Sequence, residues 1–63
     1  MPILQVEIIK GRTVEQKRAM VKKVTEAIVE TLDCPKEAVS IIIREMETED
    51  FAKAGVLRVD SQK

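Results

Sequence analysis

The groups in this chain able to carry a proton near neutral pH are few, and the most telling of them stands at the second position. The 63 residues include no histidine and a single cysteine, so the usual proton carrier of neutral solution is missing. Removal of Met1 ahead of the small residue Pro2 leaves the proline nitrogen as a free secondary amine. An α-amino group titrates near pH ~8 before any perturbation, close enough to neutrality for acid–base work. Cys34 has no histidine to deprotonate it and reads as a buried or loop thiol, not a nucleophile. Pro2 is therefore the candidate base.

The rest of the composition narrows the partners of such a base. Eleven Lys and Arg balance eleven Asp and Glu, a neutrality that disfavours broad attraction to nucleic acid. Phe51 is the only aromatic residue, which leaves base stacking almost no platform. No apolar run approaches the ~18 residues of a membrane span. One cysteine without histidine is too thin a ligand set for structural zinc. A lone cysteine and no apolar targeting segment point to the reducing cytoplasm. Residues 1–63 read as one domain, short enough to need a staple. An internal disulfide is impossible, so partner subunits are the expected staple.

The elements that must hold Pro2 follow from periodicity. Leu4, Val6 and Ile8 alternate with Ile3, Gln5, Glu7 and Ile9, a strand with one wholly apolar face. Lys10-Gly11-Arg12 breaks it. Thr13 and Gln16 fit a capping box, and a helix is expected from about Val14 to Leu32. Its apolar stripe comprises Val14, Met20, Val21, Val24, Ala27, Ile28 and Leu32, with Lys17, Arg18, Lys22, Lys23, Glu26 and Glu30 in solvent. Asp33-Cys34-Pro35 stops the helix, and a second strand is expected from Val39 to Glu45. Strand, helix and strand form a βαβ unit with parallel strands, an α+β architecture. The Leu4/Val6/Ile8 and Val39/Ile41/Ile43 faces meet the helix, whereas Ile3, Ile9 and Ile42 lie on a face this short chain cannot cover, which marks an interface. An acidic loop, Met46 to Asp50, leads through Phe51 to Gly55 into a short C-terminal strand or hairpin, Val56 to Val59, and a polar tail.

Pro2 at the head, Gly11-Arg12 closing the first strand, the capped helix and Phe51 before a glycine-containing turn resemble the 4-oxalocrotonate tautomerase family. Segments such as Glu15-Gln16-Lys17 and Ile42-Ile43-Arg44-Glu45-Met46 look like the family at matching spacing, from Pro2 through Val59. The resemblance implies βαβ subunits in a homohexamer, a trimer of dimers, with active sites at subunit boundaries. It implies a reaction free of cofactor and metal, a proton transfer between enol and keto forms of small 2-hydroxy-dienoate or 2-oxo acids. Pro2 is then the general base and acid, with Arg12 binding a substrate carboxylate. Phe51 packs on the conjugated chain.

One position departs from the family. Ser40 stands where 4-oxalocrotonate tautomerases carry a second functional arginine, and a serine offers one hydrogen bond without charge. Arg44 lies on the same strand face, roughly 13 Å along, and Lys53 is another cation near the altered turn. Either is a candidate to make up the missing charge. Two other readings keep the fold: hydration or dehalogenation of a small unsaturated acid, and a non-enzymatic assembly or regulatory module.

Overall fold

Seven residues near the head of the chain alternate in exposure, and that alternation decides which way the sheet faces. In the computed structural model of the protein, which describes residues 1–61, strand β1 runs Ile3–Ile9. Leu4, Val6 and Ile8 are half-buried while Ile3, Gln5 and Glu7 are exposed, as in a strand covered on one side. Gly11 then turns the chain at φ 140°, a backbone that L side chains rarely adopt.

Helix α1 occupies Val14–Leu32, the expected span. Thr13 Oγ1 accepts from the Gln16 N–H at 3.1 Å and Gln16 Oε1 accepts from the Thr13 N–H at 2.9 Å, which closes the capping box. Asp33, left-handed at φ 54°, ends the helix ahead of Cys34-Pro35. A 3₁₀ turn at Lys36–Ala38 feeds strand β2, Ser40–Met46, one residue later than expected at each end. Val39 is held out of the strand because its N–H donates to Lys36 O at 3.1 Å.

The two strands are parallel and adjacent. Leu4 faces Ile41, Val6 faces Ile43 and Ile8 faces Glu45 on the side that α1 covers. Lys17 of α1 reaches that side and pairs with Glu45 at 2.8 Å. On the open side Ile3 lies beside Ser40, Gln5 beside Ile42, Glu7 beside Arg44 and Ile9 beside Met46. Ile3 and Ile42 are 58% and 41% exposed there, whereas Ile9 is half-buried.

The helix departs from its expected stripe: three of its members are exposed, while Lys17, expected in solvent, and Thr25 and Val29 are half-buried. Ala27, Val14 and Leu32 are exposed, and the half-buried set is Lys17, Met20, Val21, Val24, Thr25, Ile28 and Val29. Nineteen helical residues span ~28 Å. Seven strand residues span ~23 Å, so the two helix ends overhang the sheet.

Beyond β2 a 3₁₀ turn at Thr48–Asp50 leads to a hairpin of β3, Ala52–Lys53, and β4, Val56–Leu57. The two-residue loop places Ala54 at φ 53° and Gly55 at φ 80°, the left-handed pair that matches strand twist in tight hairpins. The strand expected to run on to Val59 stops at Leu57. The Arg58 N–H donates to Phe51 O at 2.7 Å, closing the hairpin, and the chain then coils into a short helix α2, Arg58–Ser61. Gln62 and Lys63 of the polar tail lie outside the described residues.

No side chain among the described residues is buried. The radius of gyration is 14.9 Å, against ~11 Å for a compact chain of this length. The exposed surface is 5220 Å², whereas a compact 7.1 kDa monomer has ~4,100 Å². No helix of the described residues is long and apolar enough to cross a membrane.

Candidate active site

Pro2 enters the site through its backbone. The Ser40 N–H donates to Pro2 O at 3.0 Å, extending the parallel ladder by one rung beyond Ile3. The bond uses the proline carbonyl and leaves the nitrogen out of the ladder. Met1 beyond it is 87% exposed, while Pro2 and Ser40 are half-buried. The structure therefore brings Pro2 and Ser40 together at the head of the sheet.

Arg12 lies beyond the other end of β1. It borders a groove of about 240 Å³ with Val6, Ile8, Gln16, Lys17 and Met20. Lys17 is taken by Glu45. Arg12 has no ion pair within 4 Å among the described residues. The seven residues of β1 separate it from Pro2 by ~23 Å. A small acid cannot touch both groups of one chain.

Phe51 belongs to a third place. It is 41% exposed and lines a groove of about 280 Å³ with Lys53, Ala54, Val56, Arg58 and Ser61. Lys53 thus joins Phe51, as does Arg58. The sequence places Arg58 in a strand and gives it no part in a site. A two-residue Ala54-Gly55 loop would have returned it beside Phe51.

The other candidate cation is engaged elsewhere. Arg44 Nη1 donates to Gln5 Oε1 at 3.2 Å on the open sheet face. Gln5 is level with Ile42, so the guanidinium leans toward Ser40 but stops ~6–7 Å short of its level. Cys34 is half-buried and free. Among the described residues no group of three or more His, Cys, Asp or Glu is gathered to hold a metal ion.

A proline at the head of a parallel βαβ pair, an arginine after the first strand and an aromatic on a C-terminal hairpin define a family. The chain belongs to the tautomerases: residues 2–60 match the family described as Tautomerase enzyme. It is an isomerase of that type. A 2-hydroxymuconate tautomerase of Bacillus subtilis is 46% identical over 55 residues, which cover 87% of this chain and 89% of the relative. One of the 4-oxalocrotonate tautomerase isozymes from Methylibium petroleiphilum superposes with a TM-score of 0.94 at 46% identity, covering 97% of this chain and 95% of that one. A heterohexamer 4-oxalocrotonate tautomerase from Chloroflexus aurantiacus superposes at 0.90 with 25% identity, covering 95% and 97%.

Proposed function

We propose that this tautomerase transfers a proton between enol and keto forms of small 2-hydroxy-dienoate or 2-oxo acids without a cofactor, using Pro2 as base and acid. The observation that carries the reading is the fixing of Pro2 through its carbonyl, with Met1 projecting into solvent. An aminopeptidase can reach Met1, and its removal costs the sheet no hydrogen bond. The freed amine must be neutral to accept a proton. Apolar neighbours such as Ile3 and a nearby guanidinium both disfavour its protonated form. It then takes the proton from the 2-hydroxyl oxygen and returns it to a carbon of the conjugated chain, so that one proton leaves and one arrives. Arg12 holds a carboxylate through charge-assisted hydrogen bonds, and Phe51 covers the diene and excludes water.

A site built this way draws on more than one copy of the chain, because Pro2, Arg12 and Phe51 stand in three separate places of the monomer. Self-association, as a homohexamer arranged as a trimer of dimers, is supported by the absence of buried side chains among the described residues and by the exposed Ile3 and Ile42. The charges of α1 support it too. Its first half carries Lys17, Arg18, Lys22 and Lys23 with Glu15 in the first turn, and its second half Glu26 and Glu30, with no basic residue in the last turn. Past the first turn that order opposes the helix dipole and suits an antiparallel partner helix.

Intact-mass measurement and a ketonisation assay with 2-hydroxymuconate and phenylenolpyruvate test the proposal. The natural chain should lack Met1. Pro2→Ala should lower kcat by roughly 10²–10⁴-fold, the range for loss of a general acid–base group, with the circular dichroism spectrum unchanged. Full activity in Pro2→Ala rejects the base.

A further inference from the structure

The hairpin groove contains more positive charge than its surroundings neutralise. Lys53 and Arg58 flank Phe51 there, and the remaining walls are Ala54, Val56 and Ser61. The adjoining turn is acidic, yet two of its carboxylates, Glu47 and Asp50, are turned to other partners. Glu47 pairs with Lys10 at 3.3 Å, and Asp50 Oδ2 accepts from the Glu47 N–H at 3.2 Å. No ion pair within 4 Å joins Lys53 or Arg58 to any acid among the described residues. Ser61 Oγ is committed to Arg58 O at 3.2 Å. Two uncompensated cations beside an open aromatic face and apolar walls match a flat, conjugated molecule that ends in a carboxylate. The volume of about 280 Å³ lies at the small end of ligand sites, too little for a nucleotide.

We infer that Arg58 and Lys53 form a carboxylate subsite on the C-terminal hairpin, which selects substrates with a second anionic end. The inference rests on the placement of Phe51 against the substrate in the proposed function, since the two cations share its groove. Arg58 is the main contact, because a guanidinium can grip a carboxylate through two parallel hydrogen bonds while an ammonium acts as a point charge. Its backbone is anchored by the 2.7 Å bond to Phe51 O, which holds the two residues side by side on the hairpin. Arg44 is the weaker source of this charge, because Gln5 already engages it on the open sheet face.

Two non-reacting probes separate charge from shape: hexa-2,4-dienedioate (muconate) and hexa-2,4-dienoate (sorbate), equal in length and differing by one carboxylate. Calorimetric titration of the assembled, Met1-free protein should show muconate weakened roughly tenfold by Arg58→Gln, and by a smaller factor in Lys53→Gln. Sorbate should change by less than about twofold in both. Arg58→Lys should restore part of the difference, and added salt should weaken muconate more than sorbate. Gel filtration confirms that each variant keeps the assembly of the parent. Equal weakening of both probes, no weakening of either, or a selective loss in Arg44→Gln in place of Arg58→Gln overturns the subsite. The readout does not depend on turnover. A failure of Pro2 as base leaves the muconate–sorbate difference intact, and a failure of the subsite leaves the Pro2→Ala loss intact.

Discussion

The βαβ body and the C-terminal hairpin solve the problem of a short chain in opposite ways. The body has long elements whose apolar faces meet: a 19-residue helix over two seven-residue strands, each at least half-covered on the shared side. The hairpin has two-residue strands, a four-residue helix and no covered side chain. Hydrophobic contact holds the body, whereas backbone geometry at Phe51, Ala54 and Gly55 holds the hairpin. The contrast teaches where variation is cheap. A body residue is fixed by its neighbours on a face, and a hairpin residue mostly by φ, so its side chains are free to set specificity.

Substitutions sharpen that contrast in decreasing order of effect. Ile42→Lys on the open sheet face should do most. It removes about 2 kcal/mol of apolar burial per interface, roughly a 30-fold change in an association constant, and adds a charge that must be desolvated. Analytical ultracentrifugation should find smaller species at concentrations where the parent is fully assembled; unchanged sedimentation would show that this face is not an interface. Thr13→Ala breaks the capping box of the body and should cost about 1 kcal/mol in denaturant unfolding. Ala54→Gly works in the other region with the opposite sign. A left-handed alanine carries a strain of about 1–2 kcal/mol, part of which glycine repays in unfolded-chain entropy, so the net gain should be under about 1 kcal/mol. Hydrogen exchange at Arg58 N–H should slow in Ala54→Gly while exchange in α1 stays the same. Faster exchange at Arg58 would mean that the loop is not the element limiting the hairpin.

The body was legible in the sequence because its signals repeat. Three alternating apolar residues, a capping box and a helix-stopping Asp33-Cys34-Pro35 each state the same arrangement. The expected bounds of α1 are those observed. The overhanging Val14 and Leu32 were less legible, because periodicity gives a face but not the length of what it packs on. The hairpin was read only as a strand or hairpin, and Arg58 escaped because its position depends on one loop of two left-handed residues, one of them an alanine. The candidate residues Pro2, Arg12, Ser40 and Phe51 were picked out by type and by the resemblance, not by any sign of where the fold puts them. Which of them one chain brings together, Pro2 with Ser40, and which it holds apart, Arg12 and Phe51, depends on strand register and chain reversal, which residue type does not carry. The two departures read from the resemblance, Ser40 in place of an arginine and the altered turn at Lys53, fall one in each region.

The ladder's last rung has a practical bearing. Because Ser40 grips Pro2 by its carbonyl, the fold does not distinguish a free amino end from one that carries an extension. If Pro2 acts as proposed, a purification tag or fusion partner joined ahead of it would leave a well-formed sheet and helix around an amide, sound in spectroscopic checks yet without the proposed base. Handles for such work belong after Lys63.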